Sequence, residues 1–188
     1  MTGQDENGHL IINPEQAKIV KWVFEIIVTL VFAVLVAISA FQTVTLQESA
    51  MEPTYSVSEK FFVNRALYKV SSPKRGDVIV FKTSASDSAA LHIRRVIGLP
   101  GETVQVKDGK IYINGKVYEE NGAYQDMTDG GLANSAITLE SGEYFVLGDN
   151  RNNSEDSRFS DIGNISKKYI VGKVWFTVSP KNKIGFIK

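Results

Sequence analysis

Cysteine is absent from the 188 residues of the chain, and histidine occurs only twice, as His9 and His92. Without cysteine, neither a disulfide framework nor a thiolate metal site can form. The two histidines lack the spacing of metal ligands, so we expect neither a metal enzyme nor a cofactor. Lys and Arg number 21, Asp and Glu also number 21, and no block of one sign stands out. The sequence therefore predicts no nucleic-acid partner.

One long apolar run is present, from Trp22 to Phe41, in which only Glu25, Thr29 and Ser39 are polar. At about 1.5 Å per residue, this run matches the ~30 Å hydrocarbon core of a bilayer. We therefore predict a transmembrane helix over residues 22–41, with the lipid bilayer as a partner. The alternative is a cleavable signal peptide, because the run ends in the small residues of "AISA".

The charges that flank this run predict an orientation. Lys18 and Lys21 precede it, whereas Lys60 is the single basic residue in the 20 that follow. Basic residues favour the cytoplasmic side of a membrane. We therefore predict a cytoplasmic tail over residues 1–21 and an extracytoplasmic domain over residues 42–188, in a protein that crosses the plasma membrane once.

Residues 42–188 show short apolar or alternating stretches between turn signals, which is typical of a mainly β fold. We predict strands within 76–82, 91–98, 144–148 and 169–178, and a three-stranded meander over 103–120. The meander turns at Asp108-Gly109 and Asn114-Gly115, dipeptides that accept the positive φ of tight hairpins.

Other stretches of this domain have simpler interpretations. No helix of normal length is predicted in it, and 121–135 should be an exposed loop because it is rich in Gly and Asn. "FFV" at 61–63 fits either the core or an apolar face that rests on the bilayer. "VWFTV" near the C-terminus is most simply core.

Three segments stand out from this scaffold: "SAMEPT" (49–54), "HIRRVIGLPGE" (92–102) and "VLGDNRNNSEDSR" (146–158). Together with "RGDVIVF" (75–81) and the apolar run, they resemble the characteristic boxes of bacterial type I signal peptidase in order and spacing. The resemblance implies a β-rich catalytic domain after one membrane helix. It also implies a serine endopeptidase with a Ser/Lys dyad, which removes signal peptides after small residues.

Both members of that dyad are substituted in this chain. The resemblance places the nucleophile at Ala50, which is followed by the motif residues Met51, Pro53 and Thr54, and the base at Arg94. The methyl group of alanine cannot attack a carbonyl. Arginine has a pKa above about 12 and cannot act as a general base in a protein. We therefore expect a member that is catalytically impaired.

The supporting residues of the family remain. By resemblance, Ser154 matches the hydroxyl that orients the base, Asp156 and Arg158 match a charged pair behind it, and Asp149 and Arg95 are partners in the same network. A turn packed by ion pairs is an equally good interpretation of these five residues. In either case they would preserve the shape of the pocket.

Three neighbours could change this interpretation. Glu48 lies two residues before Ala50, and a carboxylate pointing inward there would oppose an oxyanion. Ser49 could replace the nucleophile, but in an extended segment it should face away from Ala50. His92 would share a strand face with Arg94, so a Ser49/His92 pair is a further alternative; a half-buried strand histidine is the simpler interpretation.

We predict a membrane-anchored member of the signal peptidase family that keeps a groove for signal peptides or secreted chains without cleaving them. Such a groove can bind an extended chain by strand addition. Inactive members assist the assembly of surface proteins such as pili, which is what the resemblance suggests here. The alternative is an active signal peptidase, or an engineered inactive variant of one. A membrane-tethered β-sheet binding module is a third interpretation.

Overall fold

The computed structural model describes residues 3–4, 10–11, 14–86 and 89–187. The chain divides into two compact units, Met1–Ala40 and Phe41–Lys188. The first contains one apolar helix and the second is built from β-strands, which confirms the predicted mainly β fold after one N-terminal helix. Residues 1–2, 5–9 and 12–13 of the predicted cytoplasmic tail lie outside the described residues.

The first unit contains helix α1, Pro14–Ala40, and a short antiparallel pair of strands, β1 (Gly3–Gln4) and β2 (Leu10–Ile11). With 27 residues, α1 is about 40 Å long. It is long and apolar enough to cross a bilayer. The helix begins before the predicted span and ends one residue earlier, because Phe41 already belongs to the next strand.

The strands of the second unit are β3 Phe41–Thr45, β4 Lys60–Asn64, β5 Val78–Phe81, β6 His92–Gly98, β7 Thr103–Lys107, β8 Lys110–Ile113, β9 Lys116–Val117, β10 Ile137–Thr138, β11 Glu143–Leu147, β12 Ile165–Ser166, β13 Ile170–Ser179 and β14 Gly185–Phe186. Its helices are short: α2 (Leu67–Val70) and 3₁₀ turns at Ser49–Met51, Gly131–Asn134, Lys167–Tyr169 and Lys181–Lys183. Over the described part of this unit, the prediction that no helix of normal length is present is confirmed.

Two antiparallel sheets organise these strands. The larger has the order β12-β11-β6-β5-β13-β4-β3, with β14 also paired to β13, and the smaller has the order β10-β7-β8-β9. The predicted meander is β7, β8 and β9. Its two turns have positive φ at both central positions, 51° and 75° at Asp108 and Gly109, and 52° and 76° at Asn114 and Gly115. The sequence signal for these hairpins is therefore confirmed.

The stretch 121–135 is not simply an exposed loop. Met127 and Ala133 are buried in the core that lies under the meander, and Leu132 donates its backbone N–H to the Arg158 carbonyl at 2.8 Å. The prediction was wrong there because the Gly and Asn content of the segment conceals two apolar anchors. The segment packs against the "GDNRNNSEDSR" box.

Aromatic side chains cluster on one edge of the larger sheet. Phe62 alternates with the buried Phe61 and Val63 and is 38% exposed, and Trp175 is 40% exposed. Ring centroids lie 5.2 Å apart for Phe41–Trp175 and also for Trp175–Phe186. We call the set formed by Phe41, Phe62, Trp175, Phe176 and Phe186 the aromatic edge. For Trp175, the expectation that "VWFTV" is core was wrong.

Candidate functional site

Hydrogen bonds join the first box of the predicted site to the third. The backbone N–H of Asn150 donates to the carbonyl of Ala50 at 2.9 Å. The side-chain amide of Asn150 donates to the Ser49 carbonyl at 3.2 Å, and that of Asn153 donates to Ser49 Oγ at 3.2 Å. The 3₁₀ turn at Ser49–Met51 is therefore held against the loop that follows β11.

Gly148 permits this close approach. A Cβ atom at position 148 would lie 2.1 Å from Ser154 Oγ and 2.5 Å from the Ala50 carbonyl oxygen. Both distances are far below van der Waals contact, and one of the two neighbours is backbone. The glycine of the "GDN" box is thus required by packing between the boxes rather than by a special φ.

The three boxes together form one cavity of about 660 Å³. We call it the Ala50 cavity; its lining includes Glu48, Ser49, Ala50, Arg94, Asn153 and Ser154. The predicted positions of the nucleophile, the base and the orienting hydroxyl therefore meet in one place, while the roles given to them stay predictions. Of the motif residues, Met51 is buried in the core, whereas Pro53 and Thr54 are exposed.

Arg94 is buried in this cavity, with only 1% of its side chain exposed. It donates hydrogen bonds from Nε to the Glu155 carbonyl at 2.8 Å, from Nη1 to the Ile93 carbonyl at 2.8 Å and from Nη2 to Glu48 Oε2 at 2.6 Å. The guanidinium therefore uses all three of its nitrogens within the protein. The base position is filled by a fixed cation.

Glu48 is the counter-ion of this cation. Besides Arg94, it contacts His92, whose Nδ1 lies 2.9 Å from Glu48 Oε1 at ion-pair distance, without the alignment of a hydrogen bond. His92 also stacks on Phe81, with ring centroids 5.6 Å apart. Burial alone would raise the pKa of Glu48, but His92 and Arg94 outweigh it and lower that pKa to about 2. Glu48 is therefore a carboxylate at neutral pH and points into the site. We call Glu48, His92 and Arg94 the Glu48 cluster.

Arg95 faces the other way along β6, because adjacent strand residues alternate between faces. Its Nε and Nη2 donate to the two carboxylate oxygens of Asp149 at 2.8 and 2.6 Å, and its Nη1 donates to the Gly76 carbonyl at 3.0 Å. Burial would lower the pKa of Arg95, but Asp149 more than offsets it and raises that pKa above its usual value. The predicted pairing of Arg95 with Asp149 is present.

Asp156 and Arg158 form a second buried pair. Arg158 donates to the Asp156 carboxylate from Nε at 2.8 Å and from Nη2 at 2.9 Å. Asp156 also accepts from the backbone N–H groups of Gly148 at 3.1 Å and Arg158 at 3.3 Å, while Arg158 donates to the Asp129 carbonyl at 2.9 Å. Through Arg158, this pair connects the "GDNRNNSEDSR" box to the segment 121–135, which follows the meander.

Ser154 does not contact the residue that it was predicted to orient. Its Oγ is buried and has no hydrogen-bond partner among the residues that the structure describes. Arg94 bonds instead to the carbonyl of the next residue, Glu155. Ser154 and Arg94 thus line the same cavity without a hydrogen bond between their side chains.

Ser49 lies nearer the site than the sequence indicated. We expected it to face away from Ala50, on the assumption of an extended chain, but Ser49–Met51 is a 3₁₀ turn and Ser49 lines the same cavity as Ala50. Ser49 Oγ accepts from Asn153, and His92 contacts Glu48. No hydrogen bond joins Ser49 Oγ to the His92 ring, so the structure does not bring this pair together.

A further set of contacts, which the sequence analysis did not predict, holds Arg151 of the "GDNRNNSEDSR" box in place. Arg151 is buried and forms a salt bridge with Glu120, and its guanidinium lies 4.1 Å from the centre of the Tyr124 ring. Arg95 lies 5.9 Å from the same ring. The available signal was Arg151 itself, an arginine in the middle of the box, for which a carboxylate partner could have been sought.

The cavity lacks the groups for a Ser/Lys hydrolysis at the expected positions. Ala50 offers no nucleophile, and an arginine side chain cannot act as a general base. Over residues 3–4, 10–11, 14–86 and 89–187, no group of three or more His, Asp or Glu side chains is placed to hold a metal ion. What the cavity offers is two hydroxyl groups, Ser49 and Ser154, and an internal ion pair between Glu48 and Arg94.

Comparison with known proteins gives a consistent result. The family model described as "Signal peptidase, peptidase S26" matches residues 19–179. The chain is similar to a signal peptidase I of Bacillus licheniformis, with 34% identity over 87% of this chain and 90% of the relative. It is also similar to signal peptidase I T of Bacillus subtilis, with 33% identity over 87% of each. The crystal structure of a signal peptidase I from Enterococcus faecalis matches with 32% identity and a TM-score of 0.46, over 56% of this chain and 98% of that one.

Proposed function

We propose that this chain, which belongs to the signal peptidase family (peptidase S26), binds chains that carry a signal peptide at the membrane without cleaving them. Members of this family act on preproteins that carry signal peptides, so such preproteins are the expected class of ligand. The observation that carries the proposal is the Glu48 cluster. A salt bridge between Glu48 and Arg94 stands beside Ala50, where a serine and a neutral lysine would be needed.

Three residues of the Ala50 cavity oppose hydrolysis: Ala50, Arg94 and Glu48. Ala50 has no atom that can form an acyl-enzyme. Each of the three guanidinium nitrogens of Arg94 donates a hydrogen bond within the protein, and an arginine side chain cannot act as a general base. Glu48 adds a negative charge to the cavity, and a carboxylate that faces a developing oxyanion destabilises the transition state. Restoring one group alone would therefore leave the reaction blocked.

Binding needs none of these groups, and one side of strand β6 is only partly paired. Strand β6 pairs with β5 from His92 to Arg95, but with β11 only from Arg95 to Gly98. The first three residues of β6 thus have no strand partner on the β11 side within the described sheet. An extended chain could pair there through its backbone, next to the Ala50 cavity, as in strand addition.

The membrane anchor follows from the first unit and the aromatic edge. Helix α1 is long enough to span a bilayer, and Lys18 and Lys21 before it favour a cytoplasmic N-terminus. The aromatic edge exposes Trp175 and Phe186, and aromatic rings of this kind favour the interface between lipid and water. We assign the second unit to the extracytoplasmic surface of the plasma membrane, with the aromatic edge in contact with lipid. In this position it would assist secretion or the assembly of surface proteins such as pili.

The test uses the full chain in detergent with a radiolabelled secretory precursor, and the same precursor without its signal peptide as the control. We expect retention of the precursor alone, with no cleaved product after prolonged incubation. Cleavage would overturn the proposal that the protein lacks peptidase activity. Equal retention of precursor and control, or retention of neither, would overturn the proposal that the groove recognises signal peptides.

One observation favours a second candidate, an active signal peptidase that uses a different nucleophile. Ser49 lines the Ala50 cavity, and the similar proteins are named signal peptidase I. If the chain cleaves the precursor, Ser49→Ala should abolish the cleavage, whereas Ser154→Ala, the matched change at the other hydroxyl of the cavity, should leave a rate above background. Loss of cleavage in neither variant would exclude Ser49 as the nucleophile.

A further inference from the structure

A second cavity of the β unit is larger than the Ala50 cavity and shares no lining residue with it. It has a volume of about 900 Å³. Five basic side chains line it: Arg65, Lys69, Lys82, Lys167 and Lys168. None of the described residues that line it is acidic. We call it the basic cavity.

Four of the five basic side chains of this cavity lack an ion-pair partner among the described residues. Arg65, Lys69, Lys167 and Lys168 form no ion pair within the described part of the chain. Lys167 donates to the Ser71 carbonyl at 2.8 Å and to Ser72 Oγ at 3.1 Å, and Lys168 lies 4.8 Å from the centre of the Tyr169 ring. These contacts position the ammonium groups without neutralising them.

The arginines around the Ala50 cavity behave differently, since each has a carboxylate partner. The pairs are Arg94–Glu48, Arg95–Asp149, Arg151–Glu120 and Arg158–Asp156. Basic groups that converge on one concavity without counter-ions raise the local potential and attract an anion. The four basic side chains without an ion-pair partner in the described structure, Arg65, Lys69, Lys167 and Lys168, therefore favour an anion from solvent or from a ligand.

The remaining wall of the basic cavity is apolar. Leu91, Ile170 and Val171 contribute aliphatic surface, and Tyr169 contributes a ring. A free inorganic anion would make no favourable contact with this apolar wall. A molecule that carries a phosphate next to a glycerol and the first methylenes of an acyl chain would use both parts of the cavity.

One wall residue of the basic cavity lies next to the predicted membrane helix in the sequence. Gln42 lies in its wall and follows Ala40, the last residue of α1, by only two residues. Two residues span at most about 8 Å, comparable to the polar layer of one leaflet, which is roughly 5–8 Å thick. We propose that the basic cavity binds the phosphate headgroup of an anionic phospholipid. This rests on the proposed membrane anchor and is independent of peptide binding.

The test compares phosphatidylglycerol with phosphatidylcholine as lipids retained by the purified full chain, measured by native mass spectrometry from mixed nanodiscs. The variant Arg65→Gln/Lys168→Gln removes two exposed charges from the cavity. The matched control, Lys107→Gln/Lys110→Gln, removes two exposed and unpaired charges from the β7–β8 hairpin. Phosphatidylglycerol should be enriched on the unmodified chain and on the control, and reduced at least about tenfold on the cavity variant, since each basic group near a lipid surface contributes substantially.

Three results would overturn this proposal. No preference for phosphatidylglycerol on the unmodified chain would exclude a headgroup site, and equal loss in both variants would show diffuse charge attraction. Displacement of the retained lipid by millimolar inorganic phosphate would identify a site for free anions. Equal melting temperatures of the two variants show that both fold, and precursor retention in the same preparations reports separately on the proposed function.

Discussion

Arg94 and Arg95 are neighbours on β6, yet they lie in two different regions of the molecule. Arg95 pairs with Asp149, a side chain that is completely buried, through two parallel hydrogen bonds. Arg94 pairs with Glu48, which is 35% exposed and lies on the rim of a cavity. The first pair belongs to the scaffold, whereas the second lines the cavity in which we predicted the nucleophile and the base. Under the proposed function, the first pair supports the fold and the second stands where reacting groups would otherwise be.

The comparison also shows why the replacements at 48 and 94 belong together. An arginine buried at position 94 without a partner would be strongly destabilising, and Glu48 supplies that partner. Conversely, a lysine at 94 beside Glu48 would have its pKa raised, since a nearby opposite charge favours the protonated form. Glu48 thus stabilises Arg94 and would also disable a lysine there.

The largest effect on stability is expected at the scaffold pair. Asp149→Asn removes the charge that faces Arg95 and leaves a buried cation unpaired, so the free energy of unfolding should fall by about 3–5 kcal/mol. Chemical denaturation of the full chain in detergent measures it. The control is Glu119→Gln, an exposed charge, which should change stability by less than about 0.5 kcal/mol. Equal effects of the two changes would contradict the scaffold role.

The contact between the two regions should be the next most sensitive point. Gly148→Ala places a methyl group against Ser154 Oγ and the Ala50 carbonyl, and overpacking of this kind costs about 1–3 kcal/mol. Adding Ser154→Ala should relieve the clash only in part, because the backbone contact remains. Full recovery in the double variant would show that the boxes are not packed as tightly as described.

A smaller loss is expected at the Glu48 cluster. Glu48→Gln leaves Arg94 without its counter-ion, but Glu48 is partly exposed, so we expect about 2 kcal/mol at pH 7. The pKa of Glu48 is lowered from 4.5 to about 2, so its contribution is complete above about pH 4.5 and disappears as the pH falls towards 2. Denaturation at several pH values measures the difference between the two chains. A difference that grows on acidification would contradict this assignment.

The smallest effect is expected for Ser154→Ala. Since Ser154 Oγ is buried without a partner in the described structure, removing it should change the free energy of unfolding by less than about 0.5 kcal/mol or raise it slightly. Precursor retention should also be unchanged. A loss of more than 1 kcal/mol in the same denaturation assay would show that the hydroxyl has a role in this chain.

Much of the scaffold could be predicted from the sequence because its signals are local. Asp108-Gly109 and Asn114-Gly115 specify their turns, and the apolar run specifies its helix. The pairing of Arg95 with Asp149 also followed, although only through the resemblance. These features depend on neighbours in the chain or on a motif that was complete.

The contents of the Ala50 cavity could not be predicted in the same way. The direction of Glu48 depends on residues 92 and 94, which are distant in sequence, and the position of Ser49 depends on a three-residue 3₁₀ turn that carries no periodic signal. The sequence predicted that Arg94 cannot act as a base. It did not predict the three hydrogen bonds of Arg94, because these depend on how the chain packs. The sequence alone therefore does not predict contacts between charges that are distant in the chain, or the conformation of short turns.

The central claim is that Glu48, Ala50 and Arg94 together prevent peptide hydrolysis at a site whose shape is otherwise preserved. The most direct measurement is precursor cleavage by the unmodified chain, by Ala50→Ser/Arg94→Lys, and by the same double variant with Glu48→Gly. We predict no cleavage by the unmodified chain and a rate at least about tenfold higher in the triple variant than in the double, because Glu48 keeps the new lysine protonated. Cleavage by the unmodified chain, or equal rates in the double and triple variants, would contradict the account.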